Sequence, residues 1–215
     1  MAQFSGKFIT FEGGEGSGKS TQARLLSLYL QDIGYKTLLT REPGGTDGAE
    51  SIRSLLVRGK REKWSAMTET LLLYAARADH WLKTIQPALN QGIWVVCDRF
   101  ADSSLAYQGY GQGIELNFLE DLYQKIIGSY KPDKTFILDI VPERGLKRAR
   151  KRLYQNQNLE SLQENRFENF SYDFHQRVYE GFLKIAASEP DRCCVLNAEL
   201  PLEELHLMIK QNLLI

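Results

Sequence analysis

The segment from residue 13 to residue 20 constrains what this chain can fold into more than any other feature. It reads Gly-Gly-Glu-Gly-Ser-Gly-Lys-Ser and matches the pattern G-x-x-x-x-G-K-[ST]. A β-branched and aromatic run at 7–11 precedes it, and apolar residues at helical spacing follow it at 21–33. In such a strand–loop–helix unit, backbone N–H groups face one anion at the positive end of the helix dipole. The alternative is a glycine-rich turn that fits the pattern by chance, and the flanking elements argue against it.

The loop residues have distinct roles in the mechanism that this pattern implies. The Lys19 ammonium is expected to reach the β- and γ-phosphates of a nucleotide, and the Ser20 hydroxyl is expected to bind Mg²⁺. The sequence therefore predicts a nucleoside-triphosphate site. The residues expected to bind it are Gly13, Gly14, Glu15, Gly16, Ser17, Gly18, Lys19 and Ser20.

Short apolar runs alternate with helical patterns along the rest of the chain. Strands separated by helices are typical of βαβ units. We therefore expect an α/β protein with the P-loop NTPase fold, in which helices flank a central parallel five-stranded sheet and a small lid is added. The strands are expected at 7–11, 36–40, 92–97, 134–139 and 193–197, and the helices at 19–33, 47–58, 66–91, 116–128, 142–153, 167–188 and 201–213.

The length and patterning predict one domain. The 215 residues suit a single core, and no internal repeat or linker divides 1–215. The polar, amide-rich stretch at 154–165 breaks the alternation of strands and helices. Because it follows a basic helix, we expect it to be a mobile excursion within a lid segment at about 144–168.

Composition and charge exclude several classes of protein. The formal net charge is zero, so no overall field attracts nucleic acid or an acidic membrane. Cys97, Cys193 and Cys194 have neither metal-ligand spacing nor a disulfide framework, which fits a reducing cytoplasm. The first residues lack a secretion-signal pattern, and no apolar run reaches membrane-spanning length. We therefore expect a cytoplasmic protein with no nucleic-acid or membrane partner.

An acid and an arginine follow the apolar run at 93–97. In enzymes with a phosphate loop, an acid at the end of such a strand supports Mg²⁺, which makes Asp98 a candidate metal residue. Arg99 follows at the same carboxyl edge of the sheet, where open α/β sheets bind their ligands. A surface ion pair or a turn is the alternative interpretation of this pair.

Four short motifs follow one another along the chain. They are F-E-G-G-E-G at 11–16, R-E-P-G-G-T at 41–46, Y-A-A-R at 74–77 and D-R-F-A-D-S-S-L-A-Y-Q at 98–108. In this order they resemble the motifs of the thymidylate kinases, and the resemblance runs from about residue 7 to about residue 187. Such an ordered set is far more specific than a phosphate loop alone, which many unrelated NTPases share.

The resemblance implies an enzyme that transfers the γ-phosphoryl group of ATP to dTMP, with Mg²⁺, giving ADP and dTDP for dTTP synthesis. It also implies a homodimer, formed through helices such as 66–91. Two alternatives stay open: another P-loop kinase of a small nucleotide such as dUMP, or a nucleotide-dependent ATPase or switch. A GTPase switch needs an Asn-Lys-x-Asp segment to read guanine, and the sequence has none.

The resemblance also implies roles for individual residues. Glu15 would lie near the transferred phosphoryl group and the 3′-hydroxyl of the acceptor, and Arg99 and Arg53 would hold the acceptor's 5′-phosphate. Arg77 would donate to a thymine carbonyl, and Tyr107 would lie under the deoxyribose. The implied substrate-binding residues are Glu12, Arg53, Leu73, Arg77, Arg99, Ser104, Tyr107 and Gln108, of which Ser104 and Gln108 complete the edge of the base.

Two positions depart from the family's pattern. Leu73 stands where the family commonly has an aromatic residue, four residues before the base-reading Arg77, so apolar contact replaces stacking on thymine. The bacterial lid commonly reads Asp-Arg-Phe-Glu, whereas this chain has N-R-F-E at 165–168. The carboxylate of that aspartate is therefore missing here.

A dense basic run lies at 144–152. A solvated helix face is the plain interpretation, but like charges four residues apart, such as Arg148 and Arg152, repel each other. A compensating anion is therefore expected, and the phosphate loop has no arginine of its own for the transferred phosphoryl group. As in the bacterial arrangement that the chain resembles, Arg148, Arg150 and Arg152 form the pool from which this arginine would come. The expected catalytic residues are Lys19, Glu15, Arg99, Arg148, Arg150 and Arg152.

Overall fold

A computed structural model describes residues 4–155 and 166–213. Its centre is a five-stranded sheet in which every pair of neighbouring strands is parallel, with the strand order β2-β3-β1-β4-β5. The predicted parallel sheet is confirmed, with each strand within two residues of its expected start. The strands are β1 (Phe8–Glu12), β2 (Thr37–Arg41), β3 (Trp94–Asp98), β4 (Lys134–Asp139) and β5 (Cys193–Asn197).

Helices cover both faces of this sheet. Two of them continue as π-helical turns, at Trp81–Ile85 and at Leu105–Gly111, and short 3-10 turns lie at Arg61–Lys63 and Phe167–Asn169. Within the described part of the chain, no helix combines the length and apolarity needed to cross a membrane. The α-helices are α1 (Lys19–Asp32), α2 (Asp47–Val57), α3 (Ala66–His80), α4 (Gln86–Asn90), α5 (Ala101–Ser104), α6 (Leu116–Ile126), α7 (Pro142–Gln155), α8 (Tyr172–Ser188) and α9 (Leu202–Gln211).

Side-chain caps explain where several helices begin. Thr46 accepts a hydrogen bond from the N–H of Ala49 at the start of α2, and Ser171 accepts one from Phe174 at the start of α8. Because Ser171 has an extended backbone and caps a new helix, the single helix expected at 167–188 was wrong in its first turn. The stretch at 154–165 that was predicted to be mobile lies largely outside the described residues, as does Asn165.

The core consists of apolar layers on the two sides of the sheet. Ile9 and Phe11 pack with α1 and α9, whereas Phe8 faces the other side and packs with Trp81 and Phe100. Alternate residues of β1 are thus buried on opposite faces, as expected for a strand covered on both sides.

The carboxyl ends of the strands bring the predicted motifs together. In the sheet register, Asp98 at the end of β3 pairs with Phe11 of β1 on one side and Arg41 of β2 on the other. The phosphate loop, the R-E-P-G-G-T loop and Arg99 therefore leave the sheet at one edge, the position where open α/β sheets bind ligands.

Candidate active site

A cleft of about 350 Å³ opens at this edge of the sheet. One end is formed by the phosphate loop and the start of α1, and the other by α3, α5 and the π-helical turn that follows α5. The structure brings most of the predicted site residues together along its walls. Those that line it are Glu15, Gly16, Gly18, Lys19, Ser20, Arg53, Leu73, Arg77, Asp98, Arg99, Ser104, Tyr107, Gln108 and Arg152.

The phosphate loop is held closed by its own lysine. The Lys19 ammonium donates to the carbonyl oxygen of Gly14 at 2.7 Å and to the Ser17 hydroxyl at 3.1 Å. Burial lowers the pKa of Lys19 to about 8, and the nearby Arg99 guanidinium acts in the same direction. An incoming polyanion would reverse this effect because it favours the charged ammonium.

Helix α7 touches the phosphate loop backbone to backbone. A Cβ built on Gly16 would lie 2.1 Å from the carbonyl oxygen of Gly145 in α7, and one built on Gly145 would lie 2.4 Å from the carbonyl oxygen of Glu15. Only glycine fits at both positions. This contact places the basic helix directly beside the loop.

Ser20 and Asp98 form the predicted metal pair. The Ser20 hydroxyl donates a short hydrogen bond to Oδ2 of Asp98, and Oδ1 of Asp98 is buried without a hydrogen-bond partner within 4–155 and 166–213. A hydroxyl and an unsatisfied carboxylate oxygen are ligands that Mg²⁺ accepts, with phosphate oxygens and waters completing its shell. Among the described residues no cluster of three or more His, Cys, Asp or Glu forms a separate metal site. The residues present therefore fit Mg²⁺ bound together with a nucleotide.

Arg99 is the centre of a network on the cleft wall. Its Nη1 donates to the Gly13 carbonyl at 3.0 Å and to the Ser103 hydroxyl at 3.1 Å, and its Nη2 donates to Glu15 and to the Tyr107 hydroxyl, both at 3.0 Å. Tyr107 in turn donates to the same Glu15 oxygen at 2.8 Å. The backbone of Arg99 has φ +69°, a strained conformation for a residue other than glycine and one that clusters at functional sites.

The charges of this network are set before any ligand arrives. Burial alone would raise the pKa of the Glu15 carboxyl, but Arg99 and Lys19 together lower it to about 2. Glu15 is therefore a carboxylate over the whole physiological range of pH. It holds the Arg99 guanidinium in place, facing the cleft.

Arg77 is buried at the other end of the cleft, with 2% of its surface exposed. Its Nε donates to Glu42 at 2.8 Å and its Nη2 donates to the Ser104 hydroxyl at 3.0 Å. Glu42 also contacts Nδ1 of His80 at 3.2 Å. Burial would raise the pKa of Glu42, but Arg77 and His80 outweigh it and lower the pKa. Nη1 of Arg77 is buried with no hydrogen-bond partner in the part of the chain that the structure describes, so one donor of this guanidinium is left unsatisfied there.

The remaining substrate-binding candidates complete the walls. Arg53 lines the cleft and donates to the Pro43 carbonyl at 3.0 Å. Leu73, on α3 one turn before Arg77, supplies an apolar surface at the position where an aromatic residue is common in the family. Gln108 lines the cleft and donates its amide to Glu69 at 2.9 Å.

Glu12 is not among the residues that line the cleft. It is fully buried, and its carboxylate accepts from the backbone N–H of Phe100 at 2.7 Å and from the Ser103 hydroxyl at 2.6 Å. The predicted contact of Glu12 with substrate does not fit this geometry, because its oxygens are taken up by the start of α5. Its carboxylate instead fixes the backbone that carries Arg99 and Ser103.

The three lid arginines point in different directions. Arg152 lines the cleft, and its Nη2 lies 3.9 Å from a carboxylate oxygen of Glu168. Arg148 donates to the carbonyl oxygen of Ala198 at 2.8 Å, away from the cleft, and Arg150 is exposed and does not line it. Of the predicted pool, the structure brings only Arg152 to the site.

Several residues of the cleft were not predicted. Phe100 and Phe167 line it, and the Arg77 guanidinium lies over the Phe100 ring at 5.5 Å from its centroid. Glu168 also lines it, and burial together with the Glu15 charge raises the pKa of Glu168 to about 7. The only signal for Phe167 and Glu168 was their place in the N-R-F-E run.

Comparison with known proteins gives a consistent result. A sequence model of the thymidylate kinase family matches residues 11–209. The thymidylate kinase of Caulobacter vibrioides is 47% identical over 92% of this chain and 91% of its own, and that of Rhodopseudomonas palustris strain TIE-1 is 50% identical over 93% and 84%. The crystal structure of thymidylate kinase from Ehrlichia chaffeensis superposes with a TM-score of 0.75 at 37% identity, covering 96% of this chain and 97% of that one. The chain belongs to the thymidylate kinase family.

Proposed function

We propose that this protein transfers the γ-phosphoryl group of ATP to dTMP, giving ADP and dTDP. The observation that carries the proposal is a single cleft with a phosphate loop at one end and, at the other, a buried arginine with one unsatisfied donor, Nη1 of Arg77. A site of this kind holds two substrates, one by its phosphates and one by the polar edge of a base. The competing proposal of an ATPase or switch does not account for the polar base end.

The donor nucleotide binds along the phosphate loop. Its β- and γ-phosphates meet the loop N–H groups and the Lys19 ammonium. Ser20 and Asp98 would hold Mg²⁺ there, and the ion would supply positive charge that neutralises the phosphates. Lys19 lies close to Glu15 and Arg99, so the site concentrates charged groups where the γ-phosphoryl group arrives.

The acceptor binds across the centre of the cleft. Arg99 and Arg53 hold its 5′-phosphate, Glu15 and Tyr107 lie against the sugar, and Arg77 with its neighbours reads the base. A phosphate oxygen of dTMP attacks the γ-phosphorus in line, and the bond from that phosphorus to the β-phosphate oxygen breaks. We propose Arg152 as the arginine that stabilises the charge of the transferred group, because it alone of the three candidates lines the cleft.

Four further properties follow as proposals from family membership and sequence. The chain forms one domain over 1–215 with a lid at about 144–168, assembles as a homodimer, acts in the cytoplasm, and has no nucleic-acid or membrane partner. Exposed apolar residues on α3, Met67 and Leu71, are available for pairing of two copies. Sedimentation of the purified protein at several concentrations tests the dimer.

A coupled ADP-release assay across a panel of nucleoside monophosphates tests the function. We expect dTMP to exceed dCMP, dGMP and UMP in kcat/KM by at least ~100-fold, because mismatched buried polar groups are costly. dUMP should be the nearest competitor, since one methyl group is worth only about 1–3 kcal/mol. Equal rates with all acceptors, or ADP release without any acceptor, would contradict the proposal.

A further inference from the structure

The base end of the cleft is the end formed by α3, α5 and the π-helical turn after α5. A carboxylate of α3 is buried next to this end. Glu69 is fully buried and does not line the cleft. Its Oε1 accepts from the amide nitrogens of Gln108 at 2.9 Å and Gln112 at 2.6 Å, and its Oε2 accepts a short hydrogen bond from Nη1 of Arg166. Of this cluster, the roles described above use only Gln108; Glu69, Gln112 and Arg166 have none.

The charge of Glu69 decides which way its neighbours turn. A carboxylate paired with a guanidinium is an acceptor only, so each amide that meets it must present its NH₂ group. Gln112 does so although its own Oε1 is then left buried without a hydrogen-bond partner among the described residues. Gln112 thus donates to Glu69 even though this orientation leaves its own carbonyl oxygen without a hydrogen bond.

The contact with Glu69 fixes the orientation of the Gln108 amide in the same way. Of these two amides, Gln108 is the one that lines the cleft. With Nε2 donated to Glu69, the group left for a ligand is the carbonyl oxygen, an acceptor. At the same end of the cleft, Nε of Arg77 is held by Glu42, and its Nη1 is an unsatisfied donor. At this end of the cleft, Arg77 thus has one donor without a partner among the described residues, and Gln108 has a carbonyl oxygen that Glu69 does not use.

This pair of groups matches one class of pyrimidine. Thymine and uracil carry a carbonyl acceptor next to a ring N–H donor, whereas cytosine carries an amino donor next to a ring nitrogen acceptor. A donor from Arg77 and an acceptor from Gln108 complement the first pattern and oppose the second. If the Gln108 amide were turned over, both groups would be donors and the discrimination would weaken.

We propose that Glu69 is a positioning residue that holds the Gln108 amide with its oxygen toward the cleft, and that it thereby makes the site select keto pyrimidines over amino pyrimidines. Arg166 anchors Glu69, since its guanidinium also donates to the carbonyl oxygens of Leu56 and Lys60 at 3.2 Å each. The inference rests on the proposed dTMP kinase activity and adds to it the origin of the base preference.

The variant Glu69→Gln tests this directly. Its amide oxygen can still accept from Arg166, so its NH₂ then faces Gln108 and forces that amide to turn over. We expect the ratio of kcat/KM for dTMP over dCMP to fall about tenfold or more, because a buried acceptor has become a donor. The ratio of dTMP over dUMP should stay within about twofold, since the two bases share the edge that Gln108 would contact. An unchanged ratio of dTMP over dCMP would overturn the inference.

Two further variants separate this role from a general loosening of the cleft. In a Gln108→Met background the added Glu69→Gln change should have no further effect on the dTMP to dCMP ratio, because Glu69 acts through that amide. A further fall of that ratio in the double variant would show a merely structural role. Gln112→Met serves as the matched control: it removes a donor from the same oxygen, does not touch the cleft, and should leave the ratio unchanged.

The folded state and the proposed function are checked alongside. If Glu69→Gln does not fold, the pair Glu69→Gln with Arg166→Lys keeps a donor-only side chain against the new amide oxygen and carries the same comparison of dTMP with dCMP. A wild-type enzyme without preference for dTMP would contradict the proposed function itself. A wild-type enzyme that prefers dTMP, with the preference kept in the Glu69 variants, would contradict only this inference.

Discussion

The two ends of the cleft are built in different ways. At the phosphate end, Lys19 bonds to Gly14, five residues away, and the binding groups come from eight consecutive residues. At the base end, Arg77 bonds to Glu42 across 35 residues and Gln108 bonds to Glu69 across 39. One end is thus local and made mainly of backbone, and the other is assembled from side chains of several elements.

This difference follows from what each end has to bind. Phosphates are alike in every nucleotide, so a loop of N–H groups at a helix start suffices and any chain with the local pattern can form it. A base is recognised by donors and acceptors at defined positions, which need fixed side chains. Here buried carboxylates, Glu42 and Glu69, supply that rigidity from behind the cleft.

The largest effect is expected at the phosphate end. Lys19→Ala removes the ammonium that meets the β- and γ-phosphates, and we expect kcat to fall by about 10³-fold or more. The fold should persist, because the hydrogen bonds of Lys19 to Gly14 and Ser17 lie within the loop and do not join it to the core. Steady-state kinetics and circular dichroism check both points. Normal turnover by a folded Lys19→Ala variant would remove the phosphate-loop mechanism.

The next effect is expected from the lid helix, which meets the phosphate end through Gly145. Arg152→Ala should lower kcat about 10³-fold with little change in the KM for dTMP, the pattern of a contact made in the transition state. Arg148→Ala is the matched control on the same helix and should be close to neutral, because Arg148 donates to Ala198 instead. Neutral kinetics for Arg148, Arg150 and Arg152 alike would refute the lid proposal and leave the kinase assignment standing.

The sequence indicated the phosphate loop directly because the residues of the loop are contiguous. The pattern at 13–20 indicated the loop, and the apolar run before Asp98 placed this acid at the sheet edge where it meets Ser20. The five strands were equally clear, since buried parallel strands are continuous apolar runs. The loop and its flanking elements needed no knowledge of distant contacts.

The base end could be predicted only through the family resemblance. The stretch 101–111 was not expected to be helical, because serines and glycines weaken its pattern, yet it is α5 and a π-helical turn that carry Ser104 and Gln108. Nothing in the sequence placed Arg166 against Glu69, a contact across 97 residues. The contacts of Glu12 with 100–103 were not predicted for the same reason, since these partners lie far along the chain.

A smaller effect, confined to the acceptor, is expected at the base end. Arg77→Lys keeps a charge beside Glu42 but loses the fork that also reaches Ser104 and the base. We expect kcat/KM for dTMP to fall about 10²-fold, because a buried bidentate donor set is lost. The KM for ATP should not change. A comparable rise in the KM for ATP would show that the two ends of the cleft do not bind their substrates independently. An unchanged kcat/KM for dTMP would show that Arg77 does not recognise the base.

The smallest effect is a pH dependence that belongs to the phosphate end alone. In the free enzyme the pKa of Lys19 lies at about 8, below its ordinary value, so the ammonium loses its proton as the pH rises through this range. The triphosphate binds the charged form, and its affinity should therefore be constant below about pH 7 and fall about tenfold between about pH 7 and about pH 9. Titration with a non-hydrolysable ATP analogue measures this slope.

The variant Lys19→Arg is the control, because its guanidinium stays charged, and its affinity for the analogue should not change with pH. The affinity for dTMP at low ATP should not follow the wild-type curve for the analogue. A flat profile in the wild type would mean that Lys19 is fully charged before the nucleotide arrives, and the phosphate loop would then gain nothing from proton uptake on binding.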